Sequence, residues 1–184
     1  MPRPAPPAKA APAGSADKAA LKAELLAQLT AALDGAQRAH AAALEGATHS
    51  EARAENDKDT RGLEQSYLAR GQAQRVAELE AAIVLVGALA LRAFAAGDPI
   101  ALGALVTIDE DGGDSGDAGE AGEDAGPRRL FVAPHGGGSA LAGGIQVVTP
   151  SSPLGRALLG KRVDDEVELR LPGKQRTLLI TAIA

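Results

Sequence analysis

The sequence predicts an α+β protein, with a long N-terminal antiparallel helical hairpin followed by a small β domain that carries one short helix. Three observations lead there. Two long alanine- and leucine-rich runs flank a brief polar segment, residues 49–62, and two long helices joined by a short connection fold back on each other. From Ile100 onward the pattern changes to short apolar runs bounded by turn residues, the signature of strands. Aromatic residues make up only 2% of the chain, and its 45% hydrophobic content comes mainly from alanine, so a thick core is not expected. The 184 residues divide into a Pro/Ala tail (1–16), a helical hairpin (17–96) and a C-terminal domain (97–184).

Bulk properties narrow the function classes. A net charge of −5 argues against broad nucleic-acid binding through a basic surface. The absence of cysteine removes disulfide frameworks and thiolate metal sites. No run of about 18 apolar residues is present to span a membrane. The opening Met1-Pro2-Arg3-Pro4 lacks the apolar stretch of a signal peptide, so a cytoplasmic location is expected.

The tail is read as disordered, because its prolines supply no helix donors and it has few large apolar groups to offset ordering. Asp17 is placed to cap the first helix. Leu21, Leu25, Leu29, Leu33, Ala36, His40 and Ala43 then recur at steps of three and four, which makes one apolar seam ending near Gly46. His40 is read as a seam histidine or a partly exposed one and not as a metal ligand, since no cysteine or second histidine stands at ligand spacing. Helical character resumes near Thr60 and is expected to run to about Ala95, with Val76, Leu79, Ile83 and Val86 as its stripe. Its first half, 61–75, is polar, so packing is expected to be looser there. Roughly 25 to 30 residues at 1.5 Å each make an arm of about 40 Å. Gly97-Asp98-Pro99 ends it.

Strands are expected over 102–108, 129–133, 145–149, 166–171 and 177–183, with Pro172-Gly173-Lys174 as a hairpin turn. Ser152-Pro153 opens a short helix, serine as cap and proline in the first turn, and Gly160 closes it. Residues 109–126 hold eight acids and no positive charge, so a mobile acidic loop is expected there. Asp109-Glu110-Asp111-Gly112 lacks the remaining ligands of a calcium loop. His135-Gly136-Gly137-Gly138 has no accompanying nucleophile elbow and is read as a glycine-rich turn.

The run Thr149-Pro150-Ser151-Ser152-Pro153-Leu154-Gly155-Arg156-Ala157-Leu158-Leu159-Gly160-Lys161, followed by Asp164-Asp165-Glu166-Val167, resembles the Gre family of bacterial transcript-elongation and cleavage factors. The likeness covers roughly 145–183, and Arg75-Val76-Ala77-Glu78-Leu79-Glu80 is similar to the returning coiled-coil helix of that family. The resemblance implies an N-terminal antiparallel coiled coil and a C-terminal domain of FKBP-like topology. It further implies an accessory factor, not itself an enzyme, whose C-terminal domain grips bacterial RNA polymerase while the coiled-coil tip enters the secondary channel. Ser152, Pro153, Gly160 and Lys161 are the residues it assigns to the gripping domain. The tip acids Glu55, Asp57 and Asp59 would act in cleavage of backtracked transcript, with Asp57 and Asp59 sharing a magnesium ion with the polymerase site. No cofactor is expected to be bound stably, and the chain is expected to be a monomer.

The tip departs from the family pattern of an acid, two residues, then glutamate and asparagine. Matching Glu55-Asn56 places Ala52 at the first acidic position; counting back from Arg75 places Glu55 there and Lys58 at the second. Two roles therefore stand open, cleavage stimulation and non-cleaving regulation in the channel, beside the plain one in which acids solvate a turn. Arg53, Arg61, Arg70 and Arg75 form a broken basic strip that would face transcript phosphates or pair with neighbouring acids, the latter favoured for Arg75. Prolyl isomerase activity, suggested by an FKBP-like fold, is disfavoured because Phe94 and Phe131 are the only phenylalanines.

Overall fold

The computed structural model describes residues 15–48, 61–95, 97–110, 127–171 and 174–184. Contacts divide the chain into two units, one of Lys22–Ala88 and one of Met1–Leu21 with Leu89–Ala184.

Two helices build the first unit. Helix α1 (Ser15–Thr48) begins in the other unit and continues into this one, and α2 (Arg61–Gly87) completes it. Within the unit α1 buries Leu25, Leu29, Ala36 and Ala43, and α2 buries Ala69, Leu79, Ala82 and Val86. The Lys22 ammonium donates to the Gly87 carbonyl at 2.8 Å, which sets an early turn of α1 beside the end of α2, so the two run in opposite directions. Leu33, His40, Val76 and Ile83 from the expected seam are half-buried at its margins. In the first half of α2 only Ala69 is buried among the described side chains, while Tyr67 and Leu68 are exposed. The polar composition of that half is thus matched by sparse packing.

Three helix boundaries differ from expectation. Ser15 and Ala16 are already helical, so Asp17 sits in the first turn instead of capping it. Gly46 does not stop α1, which continues to Thr48. Helix α2 ends at Gly87, not near Ala95. Residues 88–95 have good helix formers, but the following chain buries Leu89 and packs Phe94 against the sheet core, so tertiary contacts override local preference.

The second unit contains a six-stranded sheet: β1 (Leu105–Glu110), β2 (Arg128–Val132), β3 (Ala140–Leu141), β4 (Ile145–Val148), β5 (Glu166–Leu171) and β6 (Lys174–Ile183). The strand order is β3-β4-β2-β1-β6-β5. All neighbours are antiparallel except β2 and β4, which run parallel with Phe131 opposite Val147. Helix α3 (Pro153–Leu158) follows β4. Ile100, Val106, Ile108, Leu130, Val132, Val148, Val167, Leu178 and Ile180 form the core with Leu158 of α3, and Leu154 and Ala157 pack at its edge.

Strand β1 lies later than expected. Gly103 turns the chain with φ +84, where an added Cβ would meet the Ala90 carbonyl oxygen at 3.2 Å. The strand then extends through Asp109 and Glu110, which pair with Leu179 and Leu178, so these two acids belong to the sheet and not to the acidic loop. The rest of that expected loop, 111–126, lies outside the described residues, as do most of the Pro/Ala tail and the connection at 49–60. Strand β3 is two residues long, too short to leave a periodic signal. Strands β5 and β6 pair up to Leu171 opposite Lys174, with residues 172 and 173 of the expected turn outside the described set. No helix among the described residues is long and apolar enough to cross a membrane.

Candidate functional site

The expected sites lie in two places. Glu55, Asp57 and Asp59, together with Arg53, lie outside the described residues. Ser152, Pro153, Gly160 and Lys161 lie at the two ends of α3.

At the N-terminal end, Ser152 is the helix cap. Its Oγ accepts from the Gly155 amide at 3.0 Å and donates to the Thr149 carbonyl at 2.8 Å. Pro153 occupies the first helical position, where a missing amide costs nothing. The Arg156 guanidinium donates to the Ser151 carbonyl at 2.6 Å, and the hydroxyls of Thr149 and Ser151 are 2.9 Å apart. The turn 149–152 is therefore tied down by its own side chains, and Thr149 is itself buried.

Gly155 explains why the helix can sit so close to that turn. A Cβ there would stand 1.9 Å from the Thr149 carbonyl oxygen, a contact that no side-chain rotation relieves. The helix is short and the glycine has no unusual φ, so the sequence alone gives Gly155 no role beyond its place in the family-like run. Its signal was a glycine inside a helix, which otherwise weakens the helix.

At the C-terminal end, Gly160 has φ +79, the left-handed conformation that closes a helix. Its amide donates to the Ile100 carbonyl at 2.9 Å, and the Ile100 amide donates back to the Lys161 carbonyl at 2.7 Å. Gly160 and Lys161 thus join α3 to the start of the sheet unit. The Lys161 side chain is exposed, with its ammonium 3.3 Å from the Glu166 carbonyl oxygen. In the acidic pair that follows, Asp165 accepts from the Arg162 amide at 2.8 Å, and Asp164 adopts φ +70, a conformation that aspartate tolerates better than most residues.

The structure brings Ser152 and Pro153 into one open groove of about 410 Å³ but leaves Gly160 and Lys161 out of its lining. Val147, Val148, Leu154 and Leu169 make its apolar walls, and Gly137 and Gly138 lie along its side. The glycine-rich turn reads as expected: Gly136 and Gly138 have φ +83 and +88, and a Cβ on Gly137 would press on the Thr149 side chain at 3.1 Å. The Gly136 amide donates to Nδ1 of His135 at 2.8 Å. No aromatic ring lines the groove, and Phe131 is fully buried.

On the helical unit, Arg70 and Arg75 are exposed, and Arg75 lies 3.8 Å from Glu78 one turn on, the pairing favoured from sequence. Such exposed pairs contribute a few tenths of a kcal/mol. Among the described residues no group of three or more His, Asp or Glu is placed to hold a metal ion.

The family comparison bears on the C-terminal part of the chain. Residues 140–184 match the family model described as "Transcription elongation factor, GreA/GreB, C-term". The chain is 37% identical over 87 residues to transcription elongation factor GreA of Sphingopyxis alaskensis, covering 47% of this chain and 46% of that protein. It is 50% identical over 36 residues to GreA of Zymomonas mobilis, covering 20% of this chain and 23% of that one. The matched stretch thus spans less than half the length of these curated relatives. Among solved structures, the GreA factor homolog 1 (Gfh1) of Thermus thermophilus covers 86% of this chain and 94% of its own at 20% identity, with a TM-score of 0.35. The family model thus marks residues 140–184 as similar to the C-terminal domain of GreA/GreB factors, and the two curated relatives are both GreA proteins.

Proposed function

We propose that this Gre-family chain is an accessory factor of bacterial RNA polymerase that acts through the secondary channel. The observation that carries this reading is the match of residues 140–184 to the GreA/GreB C-terminal domain, reinforced by the close-packed turn and helix around Ser152 and Gly155. In this reading the sheet unit grips the polymerase through the surface around α3, and the connection between α1 and α2 enters the channel. Glu55, Asp57 and Asp59 on that connection would supply carboxylate oxygens beside the catalytic magnesium of the polymerase. A hard cation held through few protein ligands keeps several waters, and two metals stabilise the attacking and leaving oxygens of a phosphodiester together. The factor would supply ligands, while the polymerase would perform the cleavage.

The alternative is a regulator that occupies the channel without promoting cleavage. It is favoured by the tip sequence, in which neither register supplies both family acids. Prolyl isomerase activity has no support from the groove, which lacks an aromatic ring.

Co-purification with polymerase, followed by an assay of backtracked complexes, separates the two. Faster shortening of the transcript supports cleavage stimulation; binding without shortening supports the regulator. The double variant Asp57→Ala, Asp59→Ala is expected to keep polymerase binding and lose the effect on backtracked complexes. Unchanged cleavage by that variant would remove both carboxylates from the mechanism.

A further inference from the structure

A buried lysine stands outside everything described so far. Lys18, in the first turns of α1, is 1% exposed and is among the largest fully buried side chains of the described residues. A lysine is seldom buried so completely unless it is paired, yet no carboxylate contacts this ammonium at salt-bridge distance among the described residues. It donates instead to the Arg92 carbonyl and stands 5.0 Å from the centre of the Phe94 ring. The Arg92 guanidinium stacks on the same ring at 3.9 Å. Two cations therefore share one aromatic ring, whose negative face attracts each of them while they repel one another.

Asp98 is the group that makes this tolerable. Its carboxylate lies 2.8 Å from the Arg92 guanidinium and accepts from the Ala95 amide at 3.1 Å. Among the described residues, Arg162 donates its guanidinium to the Gly97 carbonyl, and Asp165 is engaged by the Arg162 amide. One carboxylate thus offsets the guanidinium that Lys18 faces, with a third cation beside it.

We propose that Lys18, Phe94, Arg92 and Asp98 form a charge-triggered latch: it holds the first turns of α1 on the 89–98 stretch while Asp98 is ionised and releases them when that charge is removed. Neutralising Asp98 leaves the buried Lys18 ammonium facing a half-exposed guanidinium that its carboxylate no longer offsets, and the cheapest relief is for Lys18 to return to water. The latch lies wholly within the second unit and does not depend on the proposed role at the polymerase.

Hydrogen exchange on the full chain tests it. Asp98→Asn keeps the side-chain acceptor for Ala95 but removes the charge, and is expected to speed amide exchange over residues 18–22 about tenfold. Exchange in β2 and β6 is expected to stay at the wild-type rate. Lys18→Met retains an unbranched apolar stem without the ammonium and is expected to stay closed, as is the double variant Lys18→Met, Asp98→Asn. Acidification through the titration of Asp98 should open the wild type, after correction for intrinsic exchange, and leave Lys18→Met closed. Wild-type exchange in Asp98→Asn would overturn the latch. So would a double variant as open as Asp98→Asn, because Asp98 would then act only through the shape of its turn.

Discussion

Gly155 and Ser152 show how much single residues decide around α3. Replacing glycine by alanine inside a helix ordinarily helps by about 1 kcal/mol. At Gly155 the new methyl group would overlap the Thr149 carbonyl oxygen, so the turn or the helix must move. Gly155→Ala is therefore expected to cost about 3 kcal/mol or more, seen as a lower denaturant midpoint. Ser152→Ala removes one cap and should cost only about 1 kcal/mol, with the fold retained. The serine was legible in the sequence because capping is a local event between residues three apart. The glycine was not, since its role depends on how closely the preceding turn approaches.

At the scale of elements, periodicity located the helices well and their ends poorly. The α1 seam was legible because three-and-four spacing is a property of the chain alone, and Leu25, Leu29, Ala36 and Ala43 are buried on it. The end of α2 at Gly87 was not, because residues 88–95 suit a helix by composition and leave it for tertiary contacts around Leu89 and Phe94. Truncating a fully buried seam residue tests how much the pair depends on this packing. Leu79→Ala is expected to destabilise the helical unit by about 2 to 5 kcal/mol, measured as an earlier loss of helical circular dichroism on heating. Leu68→Ala, at an exposed position of the same helix, should stay within about 0.5 kcal/mol of wild type.

For the whole molecule, two groups link stability to pH with the same sign, one at the acid end of the scale and one at the alkaline end. The Arg92 guanidinium, with the Ala95 amide, holds the Asp98 carboxyl below its ordinary value. A carboxyl depressed on folding stabilises above the unfolded value of about 3.9, and that contribution is lost as pH falls through the folded value. Asp98→Asn should therefore flatten part of the acid limb of a stability–pH profile. Burial, and then the Arg92 charge, push Lys18 below its ordinary value. Between that lowered value and about 10.4 the unfolded chain holds a proton that the folded chain releases, so stability gains from Lys18 as pH rises. Lys18→Met should abolish that alkaline gain without loss of stability at neutral pH, since a buried charge gives way to an apolar side chain. Denaturant midpoints across pH measure both.

The sequence by itself determined the division into long helices and a later sheet, the capped helix at Ser152-Pro153, the pairing partners of the last two strands and the Gre-like run from Thr149. These rest on spacing, turn chemistry and local composition, which a chain carries whether or not it is folded. Only the tertiary structure decided that Gly155 must lack a side chain, that Asp109 and Glu110 join a strand, that α2 stops at Gly87, and that Lys18 is buried beside Phe94. Each of these depends on atoms from distant parts of the chain meeting within a few ångströms, and no local pattern encodes such a meeting.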